Sequence, residues 1–491
     1  MREHLPVLQV VLPLVAALLA ALTRRPGRAW ALALTAAWLV LAIAIGLLLQ
    51  VLGEGVTSYH LGGWEPPYGI EYRVDLLNAF VLLIVSAMAA AVVPFARTSV
   101  AREIAPERIP LFYSALLLCL AGLLGIAVTG DLFNVFVFLE ISSLSAYSLV
   151  ALGSDRRALT AAYRYLIMGS VGATFVMIAI GLLYAMTGTL NMMDLAARLP
   201  AVAATRTVPV AFAFLTVGVG LKLALFPLHL WLPNAYTYAP SAVSAFIAST
   251  ATKVAIYMLL RFFFTVFGAA FSFDVMQLDW ILTPLALFAI VLASLAALHQ
   301  EDGKRLLAYS SVAQIGYIVL GISLASVLGV AAGILHVFNH ALMKGALFMT
   351  MGCVMYAVGS VKVSAMAGLG RLMPLTMAAF VAAGLSLVGV PLTVGFISKW
   401  YLVQAALERG AWPLALAVLL GSVIAAAYVW KVVEAAYFRP PPAGSETREA
   451  PLGLLVPTWA LVAANLYFGI DARWTAGMAV RAAEAVLGVG R

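Results

Sequence analysis

Two lysines stand inside apolar stretches close to prolines: Lys222 in GVGLKLALFPLHLWLP and Lys399 in GLSLVGVPLTVGFISKW. A lone glutamate, Glu140, stands inside a third stretch, GDLFNVFVFLEISSLSAYSLVAL. Ionisable groups at membrane depth are costly, rare, and face a bundle interior or a wet cavity. Proline-broken helices survive at that depth only where protein or water re-satisfies the freed backbone. The chemistry these groups offer is proton exchange along an ion pathway. A free lysine, with a pKa of about 10.4, keeps its proton at neutrality; burial works against the ammonium and a neighbouring carboxylate works for it. A Glu140–Lys222 pair would therefore hold a proton when closed and release it when open.

Other polar residues recur at helical spacing. Glu140 shares a face with Ser143 and Tyr147, and Lys253 in SAFIASTATKVAIYMLLR has Ser249 and Tyr257 one turn to either side. His336, His340 and Lys344 in GILHVFNHALMKGALFM repeat every four residues and form one stripe, and Lys304, Ser311 and Gln314 begin another. Histidine, with a free pKa near 6.5, suits a relay between lysines. Lys304 fits a lysine snorkelling to a membrane boundary as well as it fits a relay. His229 reads as a helix-end cap, and Arg261, two turns past Lys253, as a boundary anchor. His336 and His340 have the spacing of a metal or haem pair but no acidic partner. No P-loop, no GxGxxG between strand and helix, and no CxxC framework is present. The expectation is an ion-translocating chain with no metal, no cofactor and no covalent or redox chemistry of its own.

The elements that must position these residues follow from composition. The chain has 491 residues, of which 64% are hydrophobic and 10% charged, with a mean hydropathy of +1.04. A soluble domain is nearer half apolar and a quarter charged. Apolar runs long enough to cross about 30 Å of hydrocarbon recur along the length, so the fold class is an all-α polytopic membrane protein. Spans are expected near 5–23, 29–52, 74–96, 110–129, 131–153, 159–186, 207–228, 241–266, 279–299, 304–325, 326–356, 375–406, 412–435 and 451–470. The runs 326–356 and 375–406 exceed one simple crossing and are expected to tilt or break. Leu5–Leu22 lacks a small-residue cleavage site and reads as the first span rather than a signal peptide.

The net charge of +8 is explained by topology rather than nucleic-acid binding. Arg24, Arg25, Arg28, Arg97, Arg102, Arg108, Arg156, Arg157, Lys304, Arg305, Lys362 and Arg371 follow odd-numbered spans, so those loops are expected to be cytoplasmic and both termini extracytoplasmic. Cys119 and Cys353 lie far apart in apolar runs and read as core residues. The loop 53–73 reads as a turn or short hairpin, 439–451 as a cytoplasmic linker, and the tail from Trp474 as a small interfacial helix. Lys222 beside Pro227 and Lys399 after Pro391 lie five spans apart. That spacing suggests inverted repeats with discontinuous helices, as in transporters. The expected organisation is 1–109 (spans 1–3), 110–270 (spans 4–8), 275–438 (spans 9–13) and 439–491 (linker, span 14 and tail).

These motifs resemble a known family. GLKLALFPLHLWLPNAYTYAPSAVSAFIASTATKVAIYMLLR, with TGDLFNVFVFLE, LLAYSSVAQIGYIVLGI, HVFNHALMKGALF and GVPLTVGFISKW, is similar to the antiporter-like subunits shared by respiratory complex I, membrane-bound hydrogenases and Mrp cation/proton antiporters. The match spans roughly residues 75–410 in the right order. The resemblance implies fourteen helices, two inverted five-helix repeats, breaks in spans 7 and 12, and outward-facing termini. It implies a relay from Glu140 and Lys222 through Lys253 and the stripe His336, His340, Lys344 to Lys399, with Lys304, His229 and Tyr257 as accessory candidates. GGWEPPYGIEYRVDLLNAFVLL is most similar to the Mrp D-type subunit, and a lysine at 399 is similar to that subunit and to some complex I homologues. Asn234 stands where many relatives have aspartate, and span 8 lacks the histidine of some complex I relatives.

The expected function is proton conduction in a D-type subunit of a monovalent cation (Na⁺ or K⁺)/proton antiporter in the cell inner membrane, with Mrp-type A, B, C, E, F and G subunits as partners. The first rival is a proton-pumping subunit of complex I, an NADH:quinone oxidoreductase, or of a membrane-bound hydrogenase. The second is a stand-alone carrier of an organic solute.

Overall fold

The computed structural model describes residues 2–441 and 447–489. Of the expected linker 439–451, residues 442–446 lie outside the described residues. The helices are α1 (Leu5–Leu22), α2 (Pro26–Glu54), α3 (Leu76–Glu103), α4 (Ile109–Val128), α5 (Leu132–Ala151), α6 (Arg157–Thr187) and α7 (Met192–Val202). There follow α8 (Thr207–Leu223), α9 (Trp231–Tyr238), α10 (Ser241–Leu260), α11 (Leu278–Phe288), α12 (Ser294–Leu298), α13 (Gly303–Ser323) and α14 (Val327–Val358). The last are α15 (Leu369–Leu372), α16 (Pro374–Val388), α17 (Val394–Glu408), α18 (Trp412–Phe438), α19 (Leu452–Ile470) and α20 (Arg473–Leu487). Between α2 and α3, strands β1 (Thr57–His60) and β2 (Glu71–Val74) pair antiparallel, Thr57 opposite Val74.

Among the described residues, twelve helices are long and apolar enough to cross a membrane. Two shorter apolar helices, α8 and α16, are each continued by a second half-helix, α9 and α17. Counting each broken pair as one crossing gives the fourteen expected. The breaks fall beside Pro227 and Pro391, where proline cannot supply a helical N–H. Span 14 of the expectation is α19, and the tail forms α20, which packs on α3 and α14.

Three local outcomes refine the sequence reading. The long run 326–356, expected to tilt or break, does not break: it is one helix of 32 residues, α14, about 48 Å at 1.5 Å per residue. Its length has no proline to interrupt it, and the Ser326 hydroxyl caps its start by accepting from the Gly329 N–H at 3.1 Å. The connection 188–206 contains a helix, α7, capped by Asn191, whose side chain accepts from the Met193 and Asp194 N–H groups. Two wide, π-type turns extend α10, at Arg261–Val266 and Ala270–Val275, and another joins α11 to α12.

The connections alternate between two ends of the bundle. The hairpin end gathers β2, the α4–α5 turn and the start of α7: Gly130 N–H donates to the Glu71 carbonyl and Met192 N–H to the Gly130 carbonyl, both at 2.8 Å. The opposite end holds the basic connections, and there Gly303 and Val363 N–H groups donate to the Val361 and Glu301 carbonyls. One feature occurs in both halves. Asp131 caps α5 and bridges to Asn191 after α6, and Asp302 caps α13 and bridges to Lys362 after α14. The core runs along α10, α13 and α14, which are buried on nearly every face, so the polar residues of these helices lie on the bundle axis.

Candidate functional site

Lys222 lies in the last turn of α8, just before the break. Ala224 ends that helix in a left-handed conformation (φ 60°), and the Trp231 indole N–H donates to the freed Leu221 carbonyl at 2.8 Å. The break is thus closed by a side chain from the following half-helix. The Lys222 ammonium donates to the Ser143 hydroxyl at 2.7 Å and the Tyr147 hydroxyl at 3.2 Å, both on α5. The Tyr147 ring meets Tyr165 edge-on at 4.5 Å, and Tyr165 stacks on Trp231 at 4.0 Å. A cavity beside Lys222, lined by Cys119, Ser142, Ser143, Tyr165 and Ala251 among others, has room for about two waters.

Glu140 does not pair with Lys222. Among the described residues no cation lies within 4.0 Å of its carboxylate, whose buried Oε1 has no partner. Ser143, one turn along α5, takes the ammonium instead. The structure thus shows the expected pair open, with the lysine held by hydroxyls.

Further along the axis Lys253 on α10 is fully buried, and its ammonium donates to the Ala248 carbonyl and to Thr252 Oγ1. On α14 the stripe lies inside the protein: His336, His340 and Lys344 are at most 2% exposed. His336 bridges two helices, its Nδ1 against Ser398 Oγ of α17 at 2.7 Å and its Nε2 against Gln314 Oε1 of α13 at 2.9 Å. The His340 ring stacks on it at 6.1 Å, and neither of its nitrogens has a protein partner. Lys344 donates to Ser310 Oγ at 2.5 Å and to the Leu307 carbonyl at 2.9 Å. The face of α13 that serves the stripe is thus Ser310 and Gln314; the Ser311 hydroxyl turns back to its own helix.

Lys399 follows the second break, on α17. It donates to the Leu387 and Val388 carbonyls at 3.1 and 2.9 Å and to Ser422 Oγ of α18 at 3.0 Å, and lies 4.7 Å over the Tyr317 ring. Those carbonyls are the unpaired C-terminal end of the half-helix α16, a natural cation site.

The accessory candidates fall elsewhere than expected. Lys304 does not snorkel: it is 2% exposed and donates to the Ala239 carbonyl at 3.0 Å. The His229 side chain lies inside the first break and stacks on Phe226 at 5.1 Å, and its Nδ1 is unpartnered. Tyr257 serves Arg261 rather than Lys253, accepting from its Nε at 3.2 Å. Arg261 is no simple anchor, for its guanidinium forks onto Asp75 at the start of α3 at 2.7 and 2.9 Å. Sequence reasoning missed this pair, although an arginine near the end of an apolar helix calls for an anion somewhere. Among the described residues no group of three His, Cys, Asp or Glu could hold a metal.

Broken half-helices that carry lysines towards a buried line of histidines and lysines define a polytopic membrane subunit with ionisable side chains at mid-bundle. The family described as "NADH:quinone oxidoreductase/Mrp antiporter, TM" matches residues 129–425, and the chain belongs to it. It is 44% identical over 460 residues to the NADH-quinone oxidoreductase subunit N of Desulforudis audaxviator, covering 92% of this chain and 91% of the relative. It is 28% identical over 489 residues to the D-type subunit of the Na(+)/H(+) antiporter of Bacillus subtilis, covering 98% and 97%. It superposes on a chain of the Mrp complex from Dietzia sp. with a TM-score of 0.90 at 26% identity, covering 99% and 97%.

Proposed function

We propose that this chain conducts protons through the membrane as one component of a multisubunit cation/proton antiporter, in the position of the Mrp D-type subunit. The observation that carries the reading is the run of titratable side chains across both breaks: Lys222 on α8, half-buried, and the buried Lys253 on α10, His340 and His336 on α14, and Lys399 on α17. Each lysine is held by hydroxyls or carbonyls rather than by a permanent counter-ion, so none is locked in the charged form. The Mrp complex likeness over nearly the whole length supports the assignment to this type of assembly. In this reading Glu140 sets the electrostatic field at Lys222, residues 110–270 and 275–438 act as two inverted halves, and both termini face the outside of the cell membrane. The partners are the other antiporter subunits (Mrp-type A, B, C, E, F and G), and the ions are protons exchanged for Na⁺ or K⁺.

A second reading rests on the 44% identity to a subunit N of an NADH-quinone oxidoreductase: the same proton path driven by electron transfer in a neighbouring module. One experiment separates them. The complex containing this chain is purified through a tag on it, its subunits are identified, and proteoliposomes are tested for Na⁺- or K⁺-driven proton movement and for quinone reduction by NADH. Cation-driven exchange without electron transfer supports the first reading; quinone-coupled proton movement supports the second. Vigorous exchange by the isolated chain alone would overturn both in favour of a stand-alone carrier.

A further inference from the structure

The proposed relay uses neither Tyr257 nor the Asp75–Arg261 pair, yet these lie between Lys253 and the hairpin end of the bundle. Two small cavities meet at Tyr257. The inner one is lined by Lys253, Tyr257, Phe80, Ile84, Ile334 and others; the outer one by Tyr257, Arg261, Thr265, Arg73, Thr129 and Met193 among others. Each has room for about one water. Met193 at the outer cavity is 37% exposed, so the outer cavity lies beside the protein surface, while the inner one touches a fully buried lysine; Tyr257 is the wall they share. On the outer side of that wall stands a fixed polar group. The Arg261 guanidinium is forked onto both Asp75 oxygens and also donates to the Tyr257 hydroxyl and to Thr265 Oγ1.

We propose that Asp75 and Arg261 form a gate at the hairpin end of α10 that closes a second proton branch, running from Lys253 past Tyr257 to the hairpin surface. An immobile guanidinium suits that task. It excludes hydronium by its charge, and it does not release a proton itself at any accessible pH. The wide, π-type turn at Arg261–Val266 sets Arg261 and Thr265 on the same side of the helix end, four residues apart. Breaking the fork would free the Tyr257 hydroxyl and leave the two cavities joined. The branch rests on the proposed role of Lys253 as a proton carrier, but the gate is testable without any exchange activity.

The test uses the whole complex in proteoliposomes, with passive proton permeability read by a pH-sensitive dye in the absence of transported cation. Asp75→Asn with Arg261→Gln removes both charges, and asparagine can still cap α3. Loss of a charge-assisted hydrogen-bond set of this kind is expected to raise the open population, and the leak, by about tenfold or more. Adding Lys253→Met should return the leak to the wild-type level. A wild-type leak in the assembled double variant overturns the gate, and so does a leak that survives Lys253→Met. If the double variant does not assemble, Arg261→Gln alone decides, because it removes the fork while Asp75 still caps α3: a rise in the leak supports the gate, and an unchanged permeability overturns it. Failure of the relay itself is read separately, as normal cation-driven exchange in Lys253→Met alone.

Discussion

The Lys399 ammonium stands 4.7 Å over the ring of Tyr317, and in the other half Lys222 stands 5.8 Å over the ring of Tyr147. Each lysine belongs to a broken span, and each tyrosine to the span that begins at a capping aspartate, α5 after Asp131 and α13 after Asp302. The halves are not copies, however. Lys222 precedes its break and is held by two hydroxyls, whereas Lys399 follows its break and is held by two backbone carbonyls and one hydroxyl. The first site can pass a proton through hydroxyls that both donate and accept. The second sets its ammonium against two backbone acceptors that never donate, with Ser422 as its one hydroxyl.

Glu140 acts on Lys222 across Ser143, so the carboxylate and the hydroxyl should separate in their effects. Glu140→Ala is expected to reduce exchange severely and Glu140→Asp more mildly, since the charge survives with one methylene less reach. Ser143→Ala removes the shortest bond to Lys222 and should slow exchange by about tenfold, the value of one charge-assisted hydrogen bond. The measurement is Na⁺- or K⁺-dependent proton exchange in inside-out vesicles, with subunit levels checked by immunoblot. Wild-type exchange in assembled Glu140→Ala would remove the carboxylate from the path.

At Lys399, charge and proton release can be told apart with arginine. Arginine remains protonated at every accessible pH and can satisfy the Leu387 and Val388 carbonyls. Lys399→Arg should therefore assemble normally and lose exchange, and Lys399→Ala should lose exchange as well. A lysine needed only as a cation for the end of α16 would be rescued by arginine, and recovery of exchange in Lys399→Arg would assign it that structural role.

Much of this arrangement was legible in the sequence because hydrocarbon imposes simple rules. Apolar run length placed most of the expected spans within a few residues of the observed helix ends, though α3 runs on to Glu103 and the first broken pair to Tyr238, and Pro227 and Pro391 marked both breaks. Four-residue spacing put His336, His340 and Lys344 on one face. What escaped was set by contacts between distant segments. Nothing near Glu140 announces that Ser143 outcompetes it for Lys222, because the outcome depends on how deeply α8 is seated against α5. Asp75 and Arg261 are 186 residues apart, and each alone looks like an ordinary helix-end charge. Of the two outcomes expected for the run 326–356, a tilt or a break, α14 excludes the break, because no residue within it interrupts the backbone.

His336 should depend on both helices that flank it. Gln314→Leu strands its Nε2 and Ser398→Ala strands its Nδ1; a buried polar group left without a partner costs about 1–3 kcal/mol. With one anchor left the ring keeps a defined tautomer, so each single variant should retain partial exchange. The double variant leaves neither nitrogen fixed and should approach the loss seen in His336→Leu. Additive small losses, measured as exchange rates at matched subunit levels, would mean that the ring's orientation does not matter to transport.

The tyrosines under the two lysines are themselves seated on glycines. A methyl at Gly169 of α6 would collide with the Tyr147 hydroxyl, and one at Gly421 of α18 with the Tyr317 hydroxyl. Overpacking of this kind costs about 1–3 kcal/mol and is relieved by moving the side chain, which at Gly169 means swinging Tyr147 away from Lys222. Gly169→Ala and Gly421→Ala are therefore expected to assemble but to exchange protons several-fold more slowly. The cause can be checked by a cycle, because coupled neighbours are not additive. Both the hydroxyl and the ring carbon that bears it lie in the way at Gly169, so Tyr147→Leu, which removes the ring, is the background for the cycle: Gly169→Ala should do little further harm there, and the double variant should match Tyr147→Leu alone. At Gly421 an added methyl would also meet Ile290, so no such rescue is expected from changing Tyr317. If Gly169→Ala slows exchange equally with tyrosine or leucine at 147, the defect lies in helix packing and not in the tyrosine beneath the lysine.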